Sequence, residues 1–206
     1  IGSSQKKEFG LGVADAKRSF IDEVKSFPEN IEIKHTLTYK SNKPPRDNNS
    51  KTLSFQVNHS IILLPENQMA VRYLDERIGW FNLKKINYSS KALKSDEVRI
   101  IKRWRLEPKD KEAYFKGELV EPIKPIVYYI DPATPNKWKP YFKKGIEDWA
   151  RVFEKAGFKN AIIAKDTPSK EEDPDFSLED VRYSSVRYVA TTTRNATGPS
   201  VSDPRS

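Results

Sequence analysis

The imidazole and thiol side chains that most readily ligate a transition metal or move a proton near neutral pH are few: His35 and His59 are the only imidazoles, and there is no cysteine. The absence of cysteine excludes disulfides, iron–sulfur clusters, thiolate zinc sites and a cysteine nucleophile. Both histidines lie in segments of strict alternation. Ile31, Ile33, His35, Leu37 and Tyr39 share one face of the first, and Leu53, Phe55, Val57, His59, Ile61 and Leu63 share one face of the second, the period of half-buried strands. The intervening residues 41–51, SNKPPRDNNSK, are rich in turn formers, so the pair reads as a long-looped hairpin. Symmetry about that loop sets His59 opposite Ile33 and diagonal to His35, within reach of a shared ion. Two imidazoles fall short of a catalytic zinc site, which takes three protein ligands and an open position. No flanking carboxylate alternates onto the same face. The histidines are therefore read as packed side chains of a sheet, with no metal ligand and no cofactor expected in this chain.

Other chemistry is sparse. There is no Gly-rich phosphate loop and no Gly-x-Ser-x-Gly elbow. A formal net charge of +8 on 206 residues, 32% of them charged, is compatible with a polyanionic partner. Arg103-Trp104-Arg105 and Lys137-Trp138-Lys139 look like stacking and phosphate motifs, yet local periodicity places each Trp inward and its neighbours outward, and no nucleic-acid partner is expected. The longest apolar runs, Ile61 to Pro65 and Pro125 to Ile130, are far shorter than the roughly 20 residues of a membrane-spanning helix, so no membrane span is expected. Asn-x-Ser/Thr triplets at Asn48, Asn58, Asn87 and Asn195 are too short a motif to decide anything.

The elements that would position these residues define an α+β chain. A short helix is expected over 15–27 from Phe20, Val24 and Phe27, closed by Pro28. The hairpin follows, then strands at 78–86 and 98–106, making residues 1–110 an antiparallel β-rich module. The charged stretch 111–124 is read as a linker. Beyond it, PIVYYID at 125–131 is the near-continuous apolar run of a strand buried on both faces. Thr134 as N-cap and Pro135 at the first helical position open a helix whose stripe is Trp138, Phe142, Ile146, Trp149, Phe153 and Ala156, stopped by Gly157. Strands at 161–164 and 186–190 complete the order strand, helix, strand, strand, separated by a loop at 165–180 with seven acidic residues that should be solvated.

Several ordered motifs carry a family likeness: Ala16 to Phe20, Lys25 to Asn30, Asp75 to Gly79, Arg103 to Pro108, Pro122 to Asp131, Gly145 to Trp149, Ala156 to Asp166 and Val201 to Arg205. Together they resemble a bacterial zinc-dependent metalloprotease family in which a β-rich amino-terminal region precedes a metzincin-like catalytic domain. The resemblance implies that residues 125–206 are the first half of that mixed-sheet domain. It also implies that Asn195, Gly198, Pro199, Ser200 and Val201 lead into an edge strand that pairs with a polypeptide substrate; an ordinary surface loop is the alternative. Zinc would belong to the full-length parent, because the His-Glu-x-x-His helix is absent from this sequence. This chain is therefore expected to be an inactive scaffold and substrate-edge fragment of a secreted or otherwise extracytoplasmic metalloendopeptidase, able to self-associate through an exposed sheet edge. The alternative is a non-catalytic extracytoplasmic module that binds a peptide, glycan or protein.

Overall fold

The structure, a computed structural model, describes residues 2–45, 49–192 and 195–198. The chain is α+β with mostly antiparallel strands, and divides into two compact units: Ile1–Leu63 with Glu179–Arg182, and Leu64–Leu178 with Tyr183–Ser206.

The first unit is built on the expected hairpin. After a short helix α1 (Ser3–Glu8) come strands β1 (Leu11–Ala14), β2 (Phe20–Ser26), β3 (Asn30–Ser41) and β4 (Thr52–Ile62). Antiparallel β4 flanks β3 from Asn30↔Ile62 to Lys40↔Thr52, in the register that symmetry about the loop predicts. β2 and β1 share the other edge of β3, end to end. The helix expected over 15–27 is corrected here. Asp15 Oδ1 accepts from Lys17 N–H in a brief 3-10 turn, and the rest is β2. A bulge between Ile21 and Glu23 lets Ile21 face His35 and Val24 face Ile33, so apolar residues three apart lie on one face of a strand. The expected stripe is not shared by one face: Phe20 pairs with Thr36, on the opposite side from Val24, and Phe27 lies beyond β2, so pairing with the open edge of β3 overrides the helical spacing.

The opposite face is polar and partly buried. Thr38, almost fully covered, bonds Ser54 Oγ at 2.8 Å and donates to Arg18 O. Asn30 ties β3 to the 179–182 segment, accepting from Val181 N–H and donating to Glu179 O.

In the second unit a hairpin of β5 (Asn82–Asn87) and β6 (Asp96–Ile101) precedes helix α2 (Lys111–Phe115), capped by Asp110. The 111–124 linker is corrected too: the segment is folded. Lys109 N–H bonds Glu121 O, Ile123 N–H bonds Glu107 O, and Val120 pairs with Phe158. Val120, Phe158 and Ala161 form a buried cluster against which Tyr114 and Phe153 pack. The apolar residues dispersed among its charges thus dock on the following domain.

Strand β7 (Ile126–Ile130) lies between β8 (Ile162–Asp166) and β9 (Ser184–Val186), parallel to both. Ile126 and Ile130 are buried, as the continuous apolar run requires. The intervening helix begins later than expected and is divided into α3 (Lys139–Glu147) and α4 (Ala150–Lys155). Asp131 uses its carbonyl for Thr134 N–H and Oδ1 for Ala133 N–H, closing a turn that delays the helix. Thr134 is buried rather than capping. Between α3 and α4, Trp149 N–H reaches Ile146 O, a tightened turn. α3 packs on β7 and β8. The end of α4 forms a Schellman motif: Phe158 N–H bonds Phe153 O, Gly157 N–H bonds Glu154 O, and Gly157 has φ +91°. The 165–180 loop is not wholly solvated, because Phe176 is buried against Tyr129 and Tyr183.

Candidate functional site

Among the described residues, three places are candidates for binding, and they differ in what they can do. The first is the segment after β9. Asn195 and Gly198 are exposed and lie outside any strand, and Gly198 has open space around it. Pro199, Ser200 and Val201 lie outside the described residues. β9 itself pairs with β7 on one side, and no partner strand flanks its other side among the described residues. A strand bonded on one side offers N–H and C=O groups to an extended chain.

The second place is a cleft of about 420 Å³ in the second unit, within the size range of small-ligand sites. Its walls include Tyr73, Ile78, Trp80 and Trp104 on one side and Phe153 and Phe158 on the other, with Arg72, Lys102 and Arg103 outnumbering Asp75 among the charged groups lining it. The chain from Arg72 to Leu74 runs alongside β6: Tyr73 bridges Ile100, Leu74 N–H bonds Arg99 O, and Ile101 N–H bonds Arg72 O. Trp80 Nε1 donates to Lys102 O at 2.7 Å, fixing the indole. The Schellman turn after α4 sets Phe153 and Phe158 together. Trp104, read from sequence as an inward residue, is 51% exposed and meets Tyr128 edge-on at 6.2 Å. Its neighbours are held by backbone rather than free for phosphate, Arg103 Nη2 donating to Ala70 O and Arg105 Nη1 to Asn67 O. Aromatic walls of this kind suit an apolar ligand body. The sequence signal lay in Trp80 and Trp104, but their convergence depends on long-range pairing that periodicity does not encode.

The third place is the histidine pair in the first unit. His59 stands opposite Ile33, and His35 opposite Val57. The rings lie edge-to-face with centroids 4.5 Å apart. Among the described residues, no group of three His, Asp or Glu side chains is arranged to hold a metal ion.

Elsewhere, hydrogen-bonded carboxylates serve the fold. Asp180, 1% exposed, receives Arg182 Nε and Nη2 and the Arg182 N–H, and the guanidinium holds its carboxyl below the usual range. Burial pushes Glu32 up, but donors from Ser60, Asn58 and Asn30 outweigh it and leave its carboxyl low. Each carboxylate is saturated by its partners, so neither is poised as a general base.

No helix among the described residues is long and apolar enough to cross a membrane. Comparison with curated proteins and with solved structures gives no match. Residues 1–109 match the family model of a domain of unknown function, DUF5117, a span that takes in the whole β-rich region up to the edge of α2, and this chain belongs to that family.

Proposed function

We propose that this chain is the amino-terminal part of a secreted zinc-dependent metalloendopeptidase, in which it supplies scaffold and a substrate-pairing edge. The observation that supports this reading is the parallel sheet of β8, β7 and β9 with α3 packed on it. It realises the order strand, helix, strand, strand in the same residues that carry the metalloprotease-like motifs, and it ends in an edge strand. In this reading Asn195 to Val201 lead into an edge strand that pairs with the main chain of a polypeptide substrate, which binds by β-augmentation. Catalytic zinc does not fit the residues of this chain: two histidines cannot supply three protein ligands, and no His-Glu-x-x-His helix is present. The zinc helix belongs to a segment of the parent protein beyond Ser206, and the protein acts outside the cytoplasm.

A second reading, a non-catalytic extracytoplasmic binding module, is favoured by the aromatic cleft. The reading frame separates the two. A His-Glu-x-x-His sequence within the domain length that follows Ser206 supports the peptidase, and a stop codon directly after Ser206 supports the module.

A further inference from the structure

We propose that His35 and His59 form a two-imidazole site for a divalent transition-metal ion on the β3–β4 sheet, separate from any catalytic zinc of the parent enzyme. The register places the two residues diagonally on adjacent strands, where long side chains meet. The ring centres are 4.5 Å apart, near the separation two imidazoles reach on one ion once both nitrogens turn toward it: with metal–nitrogen bonds of about 2.0–2.1 Å and a bond angle of about 90–109°, the ring centres fall on the order of 4.5–5.2 Å apart. His35 Nε2 is buried and has no hydrogen-bond partner in the protein. A buried ring nitrogen in that state calls for an explanation, and a metal bond is one that its neighbour can complete. His59 is exposed, so its ring can swing to admit the ion and leave the outer positions to water.

The surroundings set the ion's class. The residues beside the pair on this face are Ile21, Val24, Ile33 and Val57, while Glu32, Lys34 and Asn58 occupy alternate positions facing the other way. With no carboxylate at hand, the site favours imidazole-seeking metals, Cu²⁺ first and then Ni²⁺ and Zn²⁺, over Ca²⁺ and Mg²⁺. This revises the expectation that both histidines only pack.

The test is histidine NMR on the untagged, uniformly labelled chain at pH 7.5, titrated with zinc chloride. The proposal predicts that both imidazole Hε1 signals move together, saturating at one equivalent. It also predicts that His59→Ala weakens binding at least tenfold and that magnesium moves neither signal. Replacement at exposed His59 leaves the fold intact, so this variant decides even where His35→Ala unfolds the sheet. Unmoved signals at millimolar zinc would overturn the proposal and leave an aromatic pair only. Equal affinity in His59→Ala would do the same.

Discussion

Asp180 and Arg182 show how a buried charge is tolerated at the scale of single residues. The carboxylate is fully covered and receives two guanidinium nitrogens and a backbone N–H, while the guanidinium is about one-third exposed and partly screened by solvent. Removing the cation leaves a covered charge unpaired, so Arg182→Leu should cost about 2–3 kcal/mol in chemical denaturation, and Asp180→Asn about 1–2 kcal/mol. Because the folded carboxyl is held below its ordinary value, its contribution is complete above the ordinary carboxylate range. It is lost as pH falls through the lower folded value. Melting curves from pH 6 to pH 3 should therefore show the parent protein losing stability faster than Asp180→Asn, and parallel curves would refute the pairing. Nothing in the sequence marked this pair: Asp180 stood at the end of a loop read as solvated, with Arg182 just beyond it. The histidine register, by contrast, was legible, since strict alternation about a turn-rich loop leaves few alternatives.

Helix α4 and its cap decide what the apolar stripe is worth at the scale of elements. Sequence periodicity made Trp149 the centre of the stripe, but Trp149 is 59% exposed, whereas Phe153 packs on Val120, Phe158 and Ala161. Phe153→Ala should cost about 3 kcal/mol or more, and Trp149→Asp less than about 1 kcal/mol. The reverse order in thermal melts would show that the helix docks by its other side. Gly157 is needed twice over, for its positive φ and because a Cβ there would lie 2.7 Å from Tyr114 Cε2. Gly157→Ala should be destabilising, with Gly157→Asn milder in strain but not in the clash. The buried strand β7, the helix stop at Gly157 and the β3–β4 hairpin were all readable. β2 was not, because Phe20, Val24 and Phe27 recur at helical spacing although they do not share a face of the strand. The delayed start of α3 was hidden for a different reason: Asp131 closes a side-chain turn that competes with the Thr134 cap.

For the whole molecule, the charged stretch 111–124 was taken as a linker because linkers are usually charged and polar. Its few apolar residues instead join the core of the second unit, with Val120 buried among Phe158 and Ala161. Limited trypsin digestion should therefore cut first in the exposed 88–95 connection of the β5–β6 hairpin, at Lys91 or Lys94, and spare Lys109 to Lys124. A first cut within 109–124 would restore the two-module division. Exposed Trp138, Tyr141, Phe142 and Trp149 on the same helical region leave apolar surface that the proposed second half of a peptidase domain would cover. The proposal that this chain is the amino-terminal part of a zinc peptidase is tested most directly by assaying casein hydrolysis for two proteins, the 206-residue chain and the polypeptide extended through its reading frame. The chain alone should not hydrolyse casein, whereas the extended protein should do so in a chelator-sensitive manner and hold one zinc more than the chain alone. Chelator-sensitive hydrolysis by the chain alone, or an extended protein that neither cleaves casein nor holds that additional zinc, would overturn the proposal.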